Sequence, residues 1–255
     1  MGRLRMNRIF MIIAVLLMLI FVGCVSVNVV NDDTPPSFQD GVEAFTANHS
    51  GSNLSGKDKS IMVNAARDLK KAMPEPGLKV GMNAPDFELV NAYGEKIKLS
   101  ERLVGGPVVL VFYRGAWCPF CNIELNALQS SLPYFSKYNA SLIAVTPQRP
   151  DKSKEQLDKS KYTFEILSDL DDSVMKAYNL YFEVPQELHE LYKNRFSFDI
   201  TAYNGKDRLG LPIPGTFVID QNGIIQASYA KTDYKKRMEP EDIINALKAL
   251  SEARN

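Results

Sequence analysis

The chain of 255 residues has few of the side chains that bind metals or build disulfide frameworks, with three cysteines and two histidines. Neither His49 nor His189 stands at zinc-ligand spacing from Cys24 or from the other cysteines. One-sided charge is also lacking, because 30 basic and 30 acidic residues leave a formal net charge of zero, with no basic block away from the N-terminus. We therefore predict a protein without a metal or other cofactor and without a nucleic-acid partner.

A long hydrophobic run is absent as well. The apolar run over residues 9–22 has fourteen residues, whereas a membrane-spanning helix needs about 20. Three arginines precede the run, and a small residue and Cys24 follow it, which is the order of a secretory signal peptide. The end of the run resembles a bacterial lipobox, in which the cysteine is lipidated, although Phe21 replaces the usual leucine. We expect residues 1–23 to be a signal peptide before a lipidated Cys24 or, alternatively, an uncleaved membrane anchor.

Both alternatives place the protein outside the cytoplasm and tether it to a membrane, on the periplasmic side or the outer face of the cell membrane. Lipidation of Cys24 would also explain the odd number of cysteines, because the other two can then pair with each other. Cleavage would remove three arginines and no acidic residue, so the mature chain would carry a formal charge of −3.

Composition divides the rest of the chain. Residues 24–56 are rich in Asn, Asp, Ser, Pro and Gly and are expected to form a flexible tether. Residues 57–78 contain an apolar stripe at helical spacing followed by Pro-Glu-Pro-Gly, which predicts an N-terminal helix and a linker. The compact domain is expected over residues 79–255.

The stretch that organises this domain carries the two remaining cysteines. Residues 108–113 are apolar without interruption and predict a strand buried on both faces. After Cys121, leucines recur at helical spacing, so the chain passes from a strand through a loop into a helix. Cys118 then lies at the N-terminus of that helix, where free backbone N–H groups and the helix dipole favour a thiolate.

Cys121 follows Cys118 by one helical turn, so the pair can cycle between a dithiol and a disulfide. Two alternatives stand beside this redox role. A purely structural disulfide would add little stability because it closes so short a loop. Half of a zinc site would need two further ligands. We favour the redox role for a Cys-x-x-Cys pair in this context.

The order of the predicted elements defines the fold class. A strand, helix and strand come first, then an inserted helical excursion over residues 180–211, and then an antiparallel hairpin and a closing helix. This order predicts an α/β domain with a central mixed sheet flanked by helices. His189 lies in the excursion, where we expect a surface or packing residue rather than a catalytic one.

Four ordered segments give the chain a family resemblance over about residues 80–253. The chain resembles the thioredoxin fold and, more narrowly, the peroxiredoxin-like branch of the alkyl hydroperoxide reductase and thiol-specific antioxidant (AhpC/TSA) family. The segments are Val80-Gly-x-x-Ala-Pro-Asp-Phe-Glu-Leu, Phe112-Tyr-Arg-Gly-x-Trp-Cys-Pro-Phe-Cys, Leu211-Pro-Ile-Pro-Gly-Thr-Phe-Val-Ile-Asp and Arg237-Met-Glu-Pro-Glu-Asp.

The resemblance implies a role for each residue of the site. It makes Cys118 the peroxidatic cysteine and Cys121 its resolving partner, so that Cys118–Cys121 is the redox-active disulfide. Trp117 and Pro119 flank the nucleophile as supporting residues. Pro214 corresponds to the cis-proline that faces the cysteines in thioredoxin folds; the alternative is a trans proline in a turn before a strand.

The chain departs from the peroxiredoxin motif Pro-x-x-x-Thr-x-x-Cys, because Val111 and Gly115 occupy the proline and threonine positions. Peroxide activation would then use backbone N–H groups at the helix start and the guanidinium of Arg114. Arg114 could equally be a solvent-facing residue at the end of the strand.

Three functions follow from the sequence. The first is a thiol peroxidase that reduces hydrogen peroxide or alkyl hydroperoxides and is restored by a thioredoxin-like dithiol. The second is an extracytoplasmic thiol–disulfide oxidoreductase, although the strand before the cysteines carries no carboxylate for proton transfer. The third, a tethered binding module with a vestigial site, is the weakest, because both cysteines are present at catalytic spacing.

Overall fold

The computed structural model describes residues 34–48 and 54–253. The predicted signal segment 1–23, Cys24, His49 and the tether residues 25–33 lie outside this part of the chain. Within the described ranges, no helix is long and apolar enough to cross a membrane.

The described residues form an α/β fold with two sheets. The strands are β1 (Glu88–Asn91), β2 (Lys96–Lys98), β3 (Val108–Phe112), β4 (Ser141–Thr146), β5 (Glu165–Ser168), β6 (Tyr181–Glu183), β7 (Gly210–Pro212), β8 (Gly215–Ile219) and β9 (Ile225–Ala230). The helices are α1 (Phe38–Asn48), α2 (Gly56–Ala72), α3 (Leu99–Gly105), α4 (Pro119–Ser136), α5 (Pro150–Ser160), α6 (Ser173–Ala177), α7 (Gln186–Phe196), α8 (Ile200–Asn204) and α9 (Pro240–Glu252).

The main sheet has seven strands in the order β2-β1-β5-β4-β3-β8-β9. β3, β4 and β5 run parallel, while β8 lies antiparallel to β3 and to β9. Every residue of β3 is buried, because one hydrophobic cluster covers Val108, Leu110 and Phe112 and a second covers Val109 and Val111 on the opposite face. The predicted mixed sheet with a doubly covered central strand is confirmed.

The predicted excursion over residues 180–211 is helical at its centre, where α7 and α8 lie between the paired strands β6 and β7. It has a small hydrophobic cluster of its own, against which the N-terminal half of α2 packs. His189 is buried in α7, and its Nε2 lies 2.9 Å from Oδ1 of Asp199. The geometry therefore makes His189 a packing residue.

The structure differs from the tether prediction at residues 38–48, which form α1 and pack on α4. The N–H groups of Phe38 and Gln39 donate to the carboxylate of Glu239 at 2.8 and 3.0 Å, which satisfies the start of the helix. Gly41 allows a close approach, because a Cβ there would lie 2.6 Å from Cγ2 of Ile123. Glu239 is 200 or more residues away along the chain from the N–H groups it accepts from, so local composition could not indicate this contact.

Phe38 anchors α1, because its side chain is only 2% exposed. We expect Phe38→Ala to lower the free energy of unfolding by about 3 kcal/mol, through lost apolar burial and the cavity left behind. Urea unfolding of the full chain measures the change. Val104→Ala is the control, because Val104 is 82% exposed and its truncation should cost about 0.5 kcal/mol or less. Equal effects of the two substitutions would show that α1 does not depend on this contact.

Candidate active site

The two cysteines lie where β3 ends and α4 begins. Cys118 has an extended backbone and immediately precedes the first turn of α4, and Pro119 occupies the first helical position, where a missing N–H costs nothing. Both thiols are free of a disulfide bond and buried, with Cys118 1% exposed and Cys121 fully enclosed. The prediction that a helix N-terminus presents Cys118 is confirmed by this geometry.

A buried polar network fixes the loop between β3 and the helix. The N–H of Ala116 donates to Oε1 of Gln148 at 3.0 Å, and Nδ2 of Asn122 donates to the carbonyl of Ala116 at 2.7 Å. Nε2 of Gln148 donates in turn to the hydroxyl of Tyr113 and to Oε1 of Gln156. Sequence reasoning missed Gln148, because the residue follows a different strand and has no motif of its own.

The two thiols have opposed acidities. Burial raises the pKa of the Cys118 thiol, but a hydrogen bond from Cys121 and the positive charges of Arg114 and Arg237 outweigh it and bring the pKa to about 6. Burial and the neighbouring Cys118 thiolate raise the pKa of Cys121 well above its usual range. At neutral pH the site therefore holds one thiolate and one thiol, which is the arrangement of a nucleophile with a resolving partner.

Arg114 points inward and is 5% exposed, so the structure excludes the solvent-facing alternative. Its guanidinium carbon lies 4.8 Å from the ring centroid of Trp117 and 4.8 Å from that of Tyr234. Its Nη2 donates to the hydroxyl of Tyr192 at 3.3 Å. Cation–π contacts of this kind compensate part of the cost of burying a guanidinium.

A second arginine, which sequence reasoning did not single out, lies against the other sulfur. Nη2 of Arg237 donates to Sγ of Cys121 at 3.5 Å, and Nε donates to Oε2 of Glu124 at 2.6 Å. Burial raises the pKa of Glu124 to about 7, although Arg237 opposes this shift. The strand before the cysteines, β3, carries no carboxylate, but Glu124 of α4 brings one into the site. The sequence did contain a signal for Arg237, because this residue is the first of one of the four segments that carry the family resemblance.

The structure explains why the motif threonine is absent. Gly115 has a φ of +145°, and a Cβ at this position would lie 2.5 Å from Nε1 of Trp117. A threonine would therefore be strained in its backbone and would displace the indole ring. The position of the Trp117 ring against Arg114 therefore requires a glycine at residue 115.

The cis-proline prediction is wrong. All peptide bonds of the described residues are trans, including that between Ile213 and Pro214. Pro214 lies between β7 and β8, and the N–H of Ile213 donates to the carbonyl of Leu180 at 2.7 Å. A trans bond is the lower-energy form for X-Pro, and a position at the start of a strand needs no N–H from the proline.

A Cys-x-x-Cys pair at a helix N-terminus, next to the central strand of a thioredoxin-like sheet, defines the class as a thiol-based oxidoreductase. The AhpC/TSA family model matches residues 80–228, more than half of the chain. The chain belongs to the AhpC/TSA family.

Two similar proteins are named for different thiol chemistry. A stretch of 165 residues is 28% identical to the thiol-disulfide oxidoreductase ResA of Geobacillus kaustophilus and covers 63% of this chain and 76% of ResA. A stretch of 175 residues is 27% identical to the peroxiredoxin Bcp of Bacillus subtilis and covers 69% of this chain and 98% of Bcp.

The fold has counterparts among solved structures. The peroxidoxin BcpB of Mycobacterium tuberculosis superposes with a TM-score of 0.54 at 22% identity, over 68% of this chain and 98% of BcpB. This similarity confirms the thioredoxin-like peroxiredoxin fold that the sequence predicts. Both α1 and α2 precede the part of the chain that the family model matches.

The contacts of Arg114 predict how the site titrates. We expect the Cys118 thiol of the reduced protein to ionise near pH 6. In Arg114→Gln the midpoint should rise by about 1 to 3 units, because a positive charge that favours the thiolate is lost. Thiolate absorbance in the ultraviolet, followed as the pH rises, measures both midpoints.

The matched control is Arg102→Gln. It removes an exposed arginine of α3 that pairs with Glu165 of β5, and it should leave the midpoint of the Cys118 titration unchanged. Circular dichroism checks that both variants are folded. An identical midpoint in Arg114→Gln and the unmodified chain would contradict the electrostatic role of Arg114.

Proposed function

We propose that the protein is a thiol peroxidase that reduces hydrogen peroxide or alkyl hydroperoxides through Cys118 and Cys121. One observation carries the proposal: the Cys118 thiolate is 1% exposed and is stabilised by two buried guanidinium groups. A hydroperoxide group is small enough to approach such a sulfur. A disulfide in a folded protein is far bulkier and needs an exposed nucleophile.

In the first step, the Cys118 thiolate attacks the distal oxygen of the hydroperoxide and the O–O bond breaks. The sulfur becomes a sulfenic acid, and the leaving oxygen takes up a proton to form water or an alcohol. Negative charge develops on that oxygen in the transition state. The guanidinium groups of Arg114 and Arg237 stabilise this charge, and low local dielectric strengthens their effect.

In the second step, Cys121 attacks the sulfur of the sulfenic acid and water leaves, so that Cys118 and Cys121 form a disulfide. The thiol of Cys121 must lose its proton for this attack, and Arg237 at 3.5 Å favours the thiolate. The dithiol has then given two electrons and two protons to the peroxide. A thioredoxin-like dithiol protein then restores the pair by thiol–disulfide exchange.

Stopped-flow mixing of the reduced full chain with hydrogen peroxide tests the proposal. Trp117 is the only tryptophan of the chain and contacts Arg114, so its fluorescence reports the reaction. We expect a rate at least about a hundredfold above that of free cysteine at the same pH. Cys118→Ser should lose the reaction, whereas Cys121→Ser should keep the first step and accumulate a sulfenic acid that dimedone traps. A rate no faster than that of a free thiol would falsify the peroxidase proposal.

A second candidate, thiol–disulfide oxidoreductase, is favoured by two observations. ResA is named for that activity. In addition, Arg237 contacts both the carboxylate of Glu124 and the sulfur of Cys121, so a carboxylate stands close to the second cysteine. Reduction of insulin by the same preparation decides between the two. Fast insulin reduction together with a slow peroxide reaction would establish the second candidate in place of the first.

We further propose that the protein is tethered to a membrane outside the cytoplasm, on the strength of the arginines, apolar run and Cys24 at the N-terminus. Labelled palmitate should be incorporated into the unmodified chain and not into Cys24→Ser. A membrane-bound, unlabelled chain of full length would instead identify an uncleaved anchor. Recovery of the chain in the cytoplasmic fraction would refute both forms of the tether.

A further inference from the structure

The two arginines beside the cysteines differ in how their charge is compensated. Arg237 forms an ion pair with Glu124 at 2.6 Å, and both side chains are buried. Arg114 is 5% exposed, and among the described residues it pairs with no carboxylate. Its guanidinium contacts two aromatic rings and the hydroxyl of Tyr192, while its Nε is buried without a hydrogen-bond partner in the same part of the chain. A buried cation of this kind is costly, so an anion that reaches it is favoured.

The thiolate of Cys118 supplies part of the missing negative charge in the reduced protein. Burial raises the pKa of this thiol, and the charge of Arg114 is one of the contributions that bring it down to about 6. The same attraction stabilises the guanidinium. It ends when Cys118 is protonated or joined to Cys121 in a disulfide, so Arg114 then loses its anionic neighbour.

Arg114 also lines a cavity of about 480 Å³ between α2 and the excursion. The lining is mostly aliphatic or aromatic, with Leu69 from α2 and Leu188 from the excursion among its members. This volume falls in the range of pockets that hold small organic molecules. Neither Cys118 nor Cys121 lines the cavity, so a molecule inside it meets the arginine and not the sulfurs.

The lining defines a ligand with a hydrocarbon part and a single negative charge. Apolar surface that leaves water in the cavity contributes binding free energy, and a carboxylate accepts strong hydrogen bonds from a guanidinium. Arg114 is the one basic side chain among the described residues that line the cavity, so a second acidic group would have no partner. The two acidic side chains of the lining, Asp68 and Glu183, are exposed, and water and salt screen their repulsion of a buried carboxylate.

We propose that this cavity binds a fatty acid, with the hydrocarbon tail among the apolar side chains and the carboxylate against the guanidinium of Arg114. The bound carboxylate and the Cys118 thiolate then share one cation, so each weakens the other by linkage. The fatty acid thus binds most tightly when the thiolate is absent, and it lowers the thiolate content of the reduced protein. This regulation is separate from the proposed peroxidase chemistry and applies equally to a disulfide oxidoreductase.

Titration with decanoate, below its micellar concentration, tests the binding site. Trp117 contacts Arg114 and is the only tryptophan of the chain, so its fluorescence should change and saturate. 1-Decanol has the same tail without the charge and should bind about tenfold more weakly, because charge-assisted hydrogen bonds are lost. Butyrate has the charge with a short tail and should bind at least about a hundredfold more weakly. Equal affinities for decanoate and decanol, or no saturable binding of decanoate, would overturn the proposal.

Two variants of α2 locate the bound molecule. Ala66→Phe narrows the cavity and should weaken decanoate binding by about tenfold, because the tail loses apolar contacts. Val63→Phe is the control, since it adds the same ring to the same helix at a residue that is 63% exposed and does not line the cavity. Circular dichroism checks that both variants are folded. Unchanged binding in a folded Ala66→Phe would place decanoate elsewhere and refute the site.

The linkage to the thiol has a readout of its own. In mildly alkaline buffer, Cys118→Ser has no thiolate at this position and should bind decanoate about tenfold more tightly than the reduced, unmodified chain. By the same coupling, saturating decanoate should raise the midpoint of the Cys118 titration by about one unit. Equal affinities of the two proteins together with an unmoved midpoint would show that the carboxylate does not share Arg114 with the thiolate, and the proposal would fail.

Discussion

Two buried guanidinium groups beside a pair of sulfurs are the constraint on which the rest of this structure depends. A buried charge is costly unless it has partners, so each arginine needs a fixed set of neighbours. Arg114 has two aromatic rings and a tyrosine hydroxyl. Arg237 has the carboxylate of Glu124 and the carbonyls of Tyr234 and Lys236. These partners come from the loop between β3 and α4, from α4 and α7, and from the loop before α9, so the site exists only once the whole domain has folded.

The segments outside the common sheet enclose this charged centre. The ring of Phe38 in α1 lies 5.8 Å from the guanidinium of Arg237. On the other side of the site, the excursion supplies Tyr192 to Arg114 and stacks Phe198 on Trp117 with 4.5 Å between ring centroids. Both segments therefore contact residues that surround the thiols. Burial raises the pKa of the Cys118 thiol, but it also strengthens the attraction between the thiolate and the guanidinium groups of Arg114 and Arg237, which helps to outweigh that rise.

The sequence predicted what local patterns determine and missed what depends on distant partners. The run from β3 through Cys118 into α4 was predictable because an apolar strand, a helix stripe and a Cys-x-x-Cys spacing are all local signals. The contact between Glu124 and Arg237 joins residues 113 positions apart, and nothing in either neighbourhood indicates it. The docking of α1 likewise depends on Glu239, and composition alone favoured a tether. The orientation of Arg114 was left open because it depends on Tyr234, in a loop 120 residues later.

The absence of a threonine at residue 115 and the burial of Arg114 have the same steric cause. Trp117 can lie under the guanidinium of Arg114 only if residue 115 has no Cβ, because that atom would come within 2.5 Å of the indole nitrogen. A threonine at 115 would supply one neutral hydrogen bond, which contributes about 1 kcal/mol. The indole instead helps to hold a full positive charge near the thiolate, and charge–charge interactions in a buried site exceed that value. Under the proposed chemistry, the same charge also stabilises the leaving oxygen. If the proposed chemistry holds, activation of the peroxide depends on this buried cation and so on the aromatic residues that keep the cation in place.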